Sequence, residues 1–364
     1  MIDRFRPARS LAPGELEALL AQGWFRLGQQ VFTTGQVPHG LRVHPAVWLR
    51  LPLGASPLHK SLRRVMREVE RRFAVDVVPF RLGPDDAETP DKVALYARYV
   101  AFRRGTDGAD LGESLLDDAG DSAFDSWSVE VREAGRLVAF SVFDLAGQAV
   151  QSVLGAFEPA LATHGLGVYT MVAEVCWAAA RGLDWYYPGY VAPGWTVFDY
   201  KLRLRGLEAL DPSSGAWVPF REVDVGAWPA VQQDRAFHRL EAHLTRLGVP
   251  WRRIINEAHQ IPEVEPRFST GLRFAAYVEL GAPGGPEPRW AVLWDPSAAR
   301  YLLVALELVG RLVRDAPPAC SADGRVVAGR ELRTMQRLIA RGRSARRIAG
   351  LAAEILAPDG AEEE

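Results

Sequence analysis

The 364-residue sequence predicts an α+β protein in which a mixed sheet is flanked by helices. Two observations support this fold class. Residues 126–145 form two strand-like runs joined by a turn at residues 133–135, which is the pattern of a β-hairpin. Residues 164–190 then show a glycine turn, a helix-length apolar segment and a short aromatic run typical of a buried strand. We expect these pieces to share one sheet, with the helix packed against it.

Length and composition bound the number of domains. The chain is 48% hydrophobic and 24% charged, as in ordinary globular proteins, and 364 residues are enough for two or three domains. Turn-rich connectors near residues 83–86 and 211–215 suggest where the domains end. We therefore predict a small N-terminal α+β domain (1–85), a central domain (86–222) and an additional α+β C-terminal region (223–364).

Charge and cysteine content argue against several classes of protein. The formal net charge is −2, so any nucleic-acid-binding surface must be local. Cys176 and Cys320 lie far apart and fit neither a disulfide framework nor a zinc site, so we expect no metal and no cofactor. The sequence shows no charged-then-apolar leader and no apolar run of membrane-spanning length. We expect a cytoplasmic protein without a membrane partner.

The N-terminal part is predicted to contain a helix at residues 14–22, short strands up to residue 43, and a second helix at residues 58–73. One face of the second helix carries apolar residues at helical spacing. The opposite face is basic, with Lys60, Arg63, Arg64, Arg67, Arg71 and Arg72 against Glu68 and Glu70. This pattern fits both a solvated surface and a phosphate-binding surface.

The glycine turn is the first candidate site. Gly165 and Gly167 precede a helix predicted over residues 168–181, which Gly182 ends. A helix N-terminus offers free backbone N–H groups and the positive end of the helix dipole. We expect the N–H groups of Leu166 and Gly167 to face a phosphate or a developing oxyanion.

The segment that follows the aromatic run is the second candidate site. Lys201, Arg203 and Arg205 recur at period 2 with Leu202 and Leu204 between them, which predicts a strand with one cationic face. Like charges on one strand face repel each other. We therefore expect these cations to contact a phosphate or an acidic group of a ligand.

The C-terminal region is predicted to combine helices with one hairpin. The helices are placed at residues 234–247, 252–260, 299–314 and 330–356, and the hairpin pairs residues 273–280 with 289–294. Residues 338–349 are similar to the first part of a DNA-binding helix-turn-helix, but no recognition helix follows them. We expect no DNA partner.

The order of hairpin, glycine turn, helix and buried strand resembles the acyltransferase core of the GNAT superfamily. The pyrophosphate turn of that superfamily reads Gln/Arg-x-x-Gly-x-Gly/Ala. Residues 162–167 keep both glycines and lack the leading polar residue. The resemblance implies a GNAT-like mixed sheet.

Further segments resemble the arginyl- and leucyl-tRNA–protein transferases. They are LYARY at residues 95–99, LGVYTMVAE at 166–174, WYYPGY at 185–190 and DYK at 199–201. Residues 23–26, 41–43 and the basic helix resemble the N-terminal domain of that family, so the resemblance covers about residues 20–222. Where the family carries a cysteine cluster, residues 33–40 contain no cysteine. The sequence is thus similar to a divergent member without the cluster.

The resemblance implies transfer of an aminoacyl group from a charged tRNA to the N-terminal amine of an acceptor polypeptide. Such a reaction needs alignment of amine and ester, stabilisation of an oxyanion, and a base for the ammonium proton. The candidate bases are Glu174, Asp144 and Asp199, and their spacing does not rank them.

The resemblance also implies contacts with substrate and tRNA. The expected substrate-binding residues are Leu166, Gly167, Tyr169, Tyr186, Tyr187, Tyr190, Lys201 and Arg203. The expected tRNA-binding residues are Lys60, Arg63, Arg64, Arg67 and Arg71. The tyrosines would stack on the terminal adenine or the aminoacyl side chain, although alternate tyrosines in a strand also fit a core.

Two other functions stay open at this point. One is an acyl-CoA-dependent acyltransferase, or a tRNA-dependent enzyme that acts on a peptide or a small molecule. The other is a non-catalytic relative that binds tRNA or protein N-termini.

Overall fold

The computed structural model describes residues 4–11, 14–54, 58–83, 89–104, 110–116, 122–256, 275–311 and 318–357. The α-helices of these residues are Glu15–Ala21 (α1), Lys60–Glu70 (α2), Thr89–Arg104 (α3), Leu111–Leu116 (α4), Leu166–Ala180 (α5), Pro229–Arg246 (α6) and Ala345–Leu356 (α7).

The strands of the first half of the chain are Arg4–Pro7 (β1), Phe25–Leu27 (β2), Gln30–Thr33 (β3), Gln36–His39 (β4), Arg42–Pro45 (β5), Val47–Pro52 (β6), Ala74–Pro79 (β7), Asp125–Glu133 (β8), Arg136–Ala146 (β9) and Ala149–Phe157 (β10). Those of the second half are Trp185–Val191 (β11), Glu208–Leu210 (β12), Trp217–Pro219 (β13), Trp251–Asn256 (β14), Ala276–Leu280 (β15), Arg289–Asp295 (β16), Arg300–Arg311 (β17), Val326–Gly329 (β18) and Glu331–Gly342 (β19).

The chain forms two compact units. The first unit comprises Arg4–Thr33 and Val47–Val223, and the second comprises the described residues of Thr34–Ala46 and Asp224–Glu364. The second unit therefore takes a short segment from the N-terminal part of the sequence in addition to the C-terminal region.

An eight-stranded mixed sheet organises the first unit, in the order β13-β12-β6-β11-β10-β9-β8-β7. All neighbours are antiparallel except β10 and β11, which run parallel and are joined through α5. Parallel neighbours need such a crossover, whereas β8 and β9 form the predicted hairpin. The α+β class and the helix between two neighbouring strands are confirmed.

Helices cover both faces of this sheet because side chains alternate along β9. Phe140 and Val142 pack in a cluster with residues of α3 and α4. Phe143 points to the other face, where its ring lies 5.0 Å from that of Trp177 in α5. This alternation places α5 against the face that carries Phe143.

A six-stranded sheet in the order β18-β14-β15-β16-β17-β19 organises the second unit. Its core joins α6 and α7 to one face of the sheet through Phe237, Leu240, Val292, Leu303, Ile348 and Ala352. The helix predicted at residues 234–247 and the hairpin of the C-terminal region are confirmed by α6 and by β15 with β16.

Other helix predictions for the C-terminal region are wrong. Residues 251–256, 300–311 and 331–342 are the strands β14, β17 and β19, and only Ala345–Leu356 of the last predicted helix is helical. Residues 257–260 lie outside the described residues. The two long strands are rich in Leu, Ala, Glu and Arg, which favour helices, and their pairing in the sheet overrides that preference.

The cysteine-free stretch of the N-terminal part folds as a hairpin of the second unit. Strands β4 and β5 pair from Gln36↔Pro45 to His39↔Arg42. Val43 packs against the core of that unit, and Trp228 Nε1 donates to the Ala46 carbonyl at 3.2 Å. Apolar packing and backbone hydrogen bonds thus order this hairpin.

None of the helices in the described part of the chain is both long enough and apolar enough to cross a membrane.

Candidate active site

Strands β10 and β11 separate in the middle of the eight-stranded sheet. They pair only through residues 149–151 and 185–187, and further along each strand pairs with its other neighbour alone. Pro188 follows the last pair and has no N–H to donate, which ends the ladder there. Residues 152–155 of β10 therefore have no partner on this side among the described strands, and Gly155 is exposed.

Glu174 of α5 lies beside this separation. Its side chain is fully buried, and Oε2 accepts a hydrogen bond from Tyr186 Oη at 2.7 Å. Among the described residues, Oε1 has no hydrogen-bond partner in good geometry. A buried carboxyl group with an unsatisfied oxygen is costly, so it indicates a functional position.

Burial raises the pKa of Glu174 to about 7. The nearby hydroxyls of Ser141, Tyr186 and Ser152 and the charge of Lys201 act in the opposite direction, but burial outweighs them. Glu174 therefore exchanges its proton near neutral pH, which is the property of a general base.

Lys201 is the buried cation of the same site. Its Nζ donates to the Tyr190 carbonyl at 2.9 Å and lies 4.9 Å from the centre of the Phe198 ring. Burial lowers the pKa of Lys201 to about 7, against the opposing charge of Glu174. A Cβ at Gly189 would lie 3.1 Å from Nζ, so the glycine leaves the space that this ammonium group occupies.

The predicted cationic strand around Lys201 is wrong. Thr196–Arg203 is a 3₁₀ helix, in which Lys201 is buried whereas Arg203 and the following Arg205 are exposed. Ring contacts hold this turn, because Phe198 packs edge-on against Tyr190 at 5.1 Å. Tertiary packing thus overrides the alternating pattern, and the three cations do not share a face.

The glycine turn begins α5 as predicted. Gly165 has φ +70° and its carbonyl accepts the N–H groups of Val168 and Tyr169. No hydrogen bond of the described residues uses the N–H groups of Leu166 and Gly167. Gly165 and Gly167 are partly exposed, so the backbone of the turn is accessible.

The side of the turn is packed against neighbouring elements. A Cβ at Gly167 would meet the Phe157 ring at 3.2 Å, so a larger residue would require this ring to shift. His164, just before the turn, bonds Arg72 at 2.9 Å through Nε2 and packs edge-on against Phe73.

The two other candidate bases lie in different surroundings. Asp144 is fully buried, accepts from Arg26 Nη1 at 2.8 Å, and also accepts from Ser126 Oγ and Gln151 Nε2. These bonds are those of a structural ion pair. Asp199 is exposed on the 3₁₀ helix.

The candidate tyrosines are distributed between core and site. Tyr187 is buried edge-on to Phe25 at 6.0 Å, and the buried Tyr169 donates to Glu70 at 3.3 Å. Tyr190 is half-buried and contacts Phe198. Tyr186 alone among these side chains reaches Glu174.

The basic face predicted on the second helix lies on α2. Lys60, Arg63, Arg64, Arg67 and Arg71 are all exposed. Arg64 pairs with Glu68 at 2.7 Å one turn away, which reduces the free charge of this face.

An apolar cavity of about 210 Å³ lies next to Tyr186. Leu51, the cross-strand partner of Tyr186, lines it. The other lining residues are Pro52, Leu53, Leu58, His59, Leu62, Val175, Cys176, Ala179, Leu204 and Arg205. The cavity is thus aliphatic, with a histidine and an arginine among its lining residues.

The sequence profile described as "Arginine-tRNA-protein transferase, C terminus" matches residues 91–211. Residues 91–211 are thus similar to the C-terminal part of that family, and we call them the transferase domain. This transferase domain contains the strand separation together with Glu174, Tyr186 and Lys201.

Relatives that match about half of the chain carry a related name. A protein of Stenotrophomonas maltophilia (strain R551-3) named "Aspartate/glutamate leucyltransferase" is 29% identical over 208 residues, which are 53% of this chain and 75% of that protein. A protein of the same name from Methylorubrum populi is 27% identical over 220 residues, covering 56% of this chain and 83% of that protein.

Solved structures show more distant likeness. The C-terminal domain of a putative lysylphosphatidylglycerol synthetase from Agrobacterium fabrum is 13% identical, with a TM-score of 0.33 over 43% of this chain and 49% of that chain. L-PGS from Bacillus licheniformis is 14% identical, with a TM-score of 0.31 over 43% of this chain and 49% of that chain.

Several features of the transferase domain were missed from the sequence. The Asp144–Arg26 ion pair joins residues 118 positions apart, and the proximity of Ser141 and Ser152 to Glu174 depends on strand register. The burial of Lys201 was also missed, although the aromatic residues around it in the sequence are a signal for an enclosed cation.

Proposed function

We propose that this protein is an aminoacyl-tRNA–protein transferase, which moves an amino acid from a charged tRNA to the N-terminal amine of an acceptor polypeptide. The observation that carries the proposal is Glu174, a carboxyl group with a pKa of about 7 beside the separation of β10 and β11. The family of residues 91–211 and the names of the relatives support the same activity.

The reaction defines what the site must do. The amine nitrogen attacks the ester carbonyl, an amide bond forms, and the bond from the carbonyl carbon to the ribose oxygen breaks. The attacking ammonium group loses protons, and the released ribose oxygen takes one. The ester is already activated, so alignment and proton transfer supply most of the catalysis.

Glu174 is the base of this proposal. Its pKa near neutrality suits removal of a proton from an ammonium group at cellular pH. Tyr186 donates to one carboxylate oxygen, while the other, which is also buried, has no hydrogen-bond partner in good geometry among the described residues. The hydroxyls of Ser141, Tyr186 and Ser152, and to a smaller extent the charge of Lys201, favour the ionised form of Glu174.

The N-terminus of α5 serves a different group of the substrate. Gly167 and Glu174 are seven residues apart, which corresponds to about 10 Å along a helix. The backbone N–H groups of Leu166 and Gly167 therefore cannot act on the same carbonyl as Glu174. We assign them to a phosphate of the tRNA 3′ end, which suits a helix N-terminus.

We propose leucine as the transferred amino acid, as in the name of the relatives. The aliphatic cavity beside Tyr186 has the chemistry for a leucyl side chain. The exposed Arg203 and Arg205 suit an acceptor that begins with Asp or Glu. The basic face of α2 would contact the tRNA backbone, and the cytoplasm, where charged tRNA is present, is the proposed location.

The experiment that tests this function follows label from tRNA into peptide. The purified chain is incubated with tRNAs carrying radiolabelled leucine, arginine or phenylalanine and with peptides that begin with Asp, Glu or Ala. We expect label from leucyl-tRNA in the acidic peptides and its loss on treatment with ribonuclease. Glu174→Gln should abolish transfer, and Glu222→Gln, a change at an exposed residue, is the matched control.

Two results would overturn the proposal. Labelling of peptide from acyl-CoA and from no charged tRNA would make the protein a different acyltransferase. Binding of charged tRNA without any turnover would make it a non-catalytic relative.

A further inference from the structure

Positive charge is concentrated in one short segment of the second unit. Residues 325–347 contain eight arginines, one glutamate and no lysine or aspartate, so this segment carries +7 in a chain of net charge −2. The concentration is therefore local and is balanced by acidic residues elsewhere.

The fold places this segment at the edge of the six-stranded sheet. Strand β19 is the last strand in the order and pairs with β17 alone, and the chain then turns directly into α7. Five exposed arginines lie on this strand, in the link that follows it and at the start of the helix: Arg337, Arg341, Arg343, Arg346 and Arg347. We call these five residues the arginine edge.

The arginine edge lacks acidic partners within the described part of the chain. None of its five members is found in an ion pair there, whereas Arg333 of the same strand pairs with Glu287 at 3.0 Å and Glu331 at 2.6 Å. The strand thus uses Arg333 in ion pairs and places Arg337 over the Trp290 ring at 6.0 Å, while Arg341 is exposed without such a contact among the described residues.

This arrangement opposes the stability of the unit. Arg346 and Arg347 lie in the first turn of α7, which has no acidic residue there, and the helix dipole disfavours cations at that end. Like charges along the strand also repel each other. A polyanion bound at this edge would reverse both effects.

The residue type indicates phosphate groups. Arginine presents a planar fork that binds phosphate oxygens through two hydrogen bonds. Leu338 is a large exposed apolar side chain of this strand, at 43%, and one such residue is little for insertion into a membrane.

We propose that the arginine edge binds the phosphate backbone of RNA. The choice of tRNA as that RNA rests on the proposed function, which supplies a charged tRNA as the donor. The second unit would then add backbone contacts to those proposed for α2 and for the N-terminus of α5. Backbone contacts give affinity without reading sequence, so the surface is expected to bind different tRNAs about equally well.

The test measures binding separately from catalysis. Fluorescence anisotropy of labelled, uncharged tRNA is recorded with the full chain between 50 and 300 mM salt. The test variant is Arg341→Ala/Arg343→Ala/Arg346→Ala. The matched control is Arg235→Ala/Arg239→Ala/Arg246→Ala, which removes the same charge from exposed positions of α6 in the same unit.

We expect the edge variant to weaken tRNA binding about tenfold or more at 100 mM salt and to lower the slope of log K against log salt by about 2 to 3. The control should change affinity less than about threefold. Equal losses in both variants would show a non-specific effect of charge and overturn the proposal, as would an unchanged affinity of the edge variant.

Vesicles containing phosphatidylserine distinguish a membrane from RNA. Loss of vesicle binding without loss of tRNA binding in the edge variant would also overturn the proposal. Because uncharged tRNA and no acceptor are used, a failure of aminoacyl transfer leaves this result intact. If the wild-type chain transfers the aminoacyl group but the edge variant binds tRNA with unaltered affinity, the proposed role of the arginine edge is wrong and the proposed transferase function stands.

Discussion

Tyr186 Oη donates a hydrogen bond to Glu174 Oε2 at 2.7 Å, inside the sheet–helix interface of the first unit. The two side chains are 0% exposed, and they meet because β11 runs parallel to β10 after the α5 crossover. Lys201 lies near the same carboxyl group. Burial raises the pKa of Glu174 to about 7 and lowers that of Lys201 to about 7.

Glu174→Gln should stabilise the protein increasingly as the pH rises. Burial raises the pKa of Glu174 from 4.5 to about 7, so the folded wild-type chain keeps a proton that the unfolded chain loses between those values. Wild-type stability therefore falls as pH rises from about 4.5 to 7, and glutamine removes this loss. The gain should be of the order of 2–3 kcal/mol at pH 7.5. Urea denaturation at pH 5 and 7.5 measures it, and an equal effect at both values would contradict a raised pKa.

Lys201→Met should show the opposite dependence on pH. Burial lowers the pKa of Lys201 from 10.5 to about 7, so the unfolded chain holds a proton that the folded chain releases in this range. Wild-type stability therefore falls as pH is lowered from about 10 to 7. As the pH is lowered from about 10 to 7, the melting temperature of Lys201→Met should therefore rise relative to that of wild type. Arg203→Ala, at an exposed position, is the control and should show no such trend.

Tyr186→Phe should move the acid limb of the pH–rate profile upward. The Tyr186 hydroxyl stabilises the ionised form of Glu174 and lowers its pKa, so its removal raises that pKa. A lost hydrogen bond to a carboxylate corresponds to about one pH unit. The rate of aminoacyl transfer between pH 5.5 and 8.5 measures the shift. If the acid limb does not move, Tyr186 does not affect the ionisation that controls the rate.

Asp144→Asn should lower the free energy of unfolding, because Asp144 has a structural role. Asp144 and Arg26 are 0% and 1% exposed, and loss of one partner of a buried pair costs about 3–5 kcal/mol. The double variant Arg26→Met/Asp144→Leu should recover part of this stability because it leaves no buried charge. Urea denaturation compares the three chains. Normal stability of Asp144→Asn together with loss of transfer would instead make Asp144 the base.

The sequence was most informative where local pattern and tertiary packing agree. The hairpin β8–β9, the glycine turn at Gly165 and the aromatic strand β11 follow from spacing and turn residues. Glu174 entered through family resemblance and not through its environment. Its burial depends on strands that are distant in the chain, and no local pattern reports their register.

The failures share one physical cause. Residues 201–205 alternate like a strand, yet ring packing around Phe198 winds Thr196–Arg203 into a 3₁₀ helix. Strands β17 and β19 contain helix-favouring residues and are strands because they pair with each other. In each case a non-local contact outweighs the local preference, which the sequence alone does not reveal.

The central claim is that Glu174 takes the proton of the attacking amine, and a single-turnover measurement tests it most directly. Leucyl transfer to an Asp-initial peptide is followed at saturating charged tRNA for wild type and Glu174→Gln, with tRNA affinity measured in parallel. We predict a rate lower by about 10²–10⁴-fold with unchanged tRNA affinity. A rate within threefold of wild type, with the variant folded, would contradict the account.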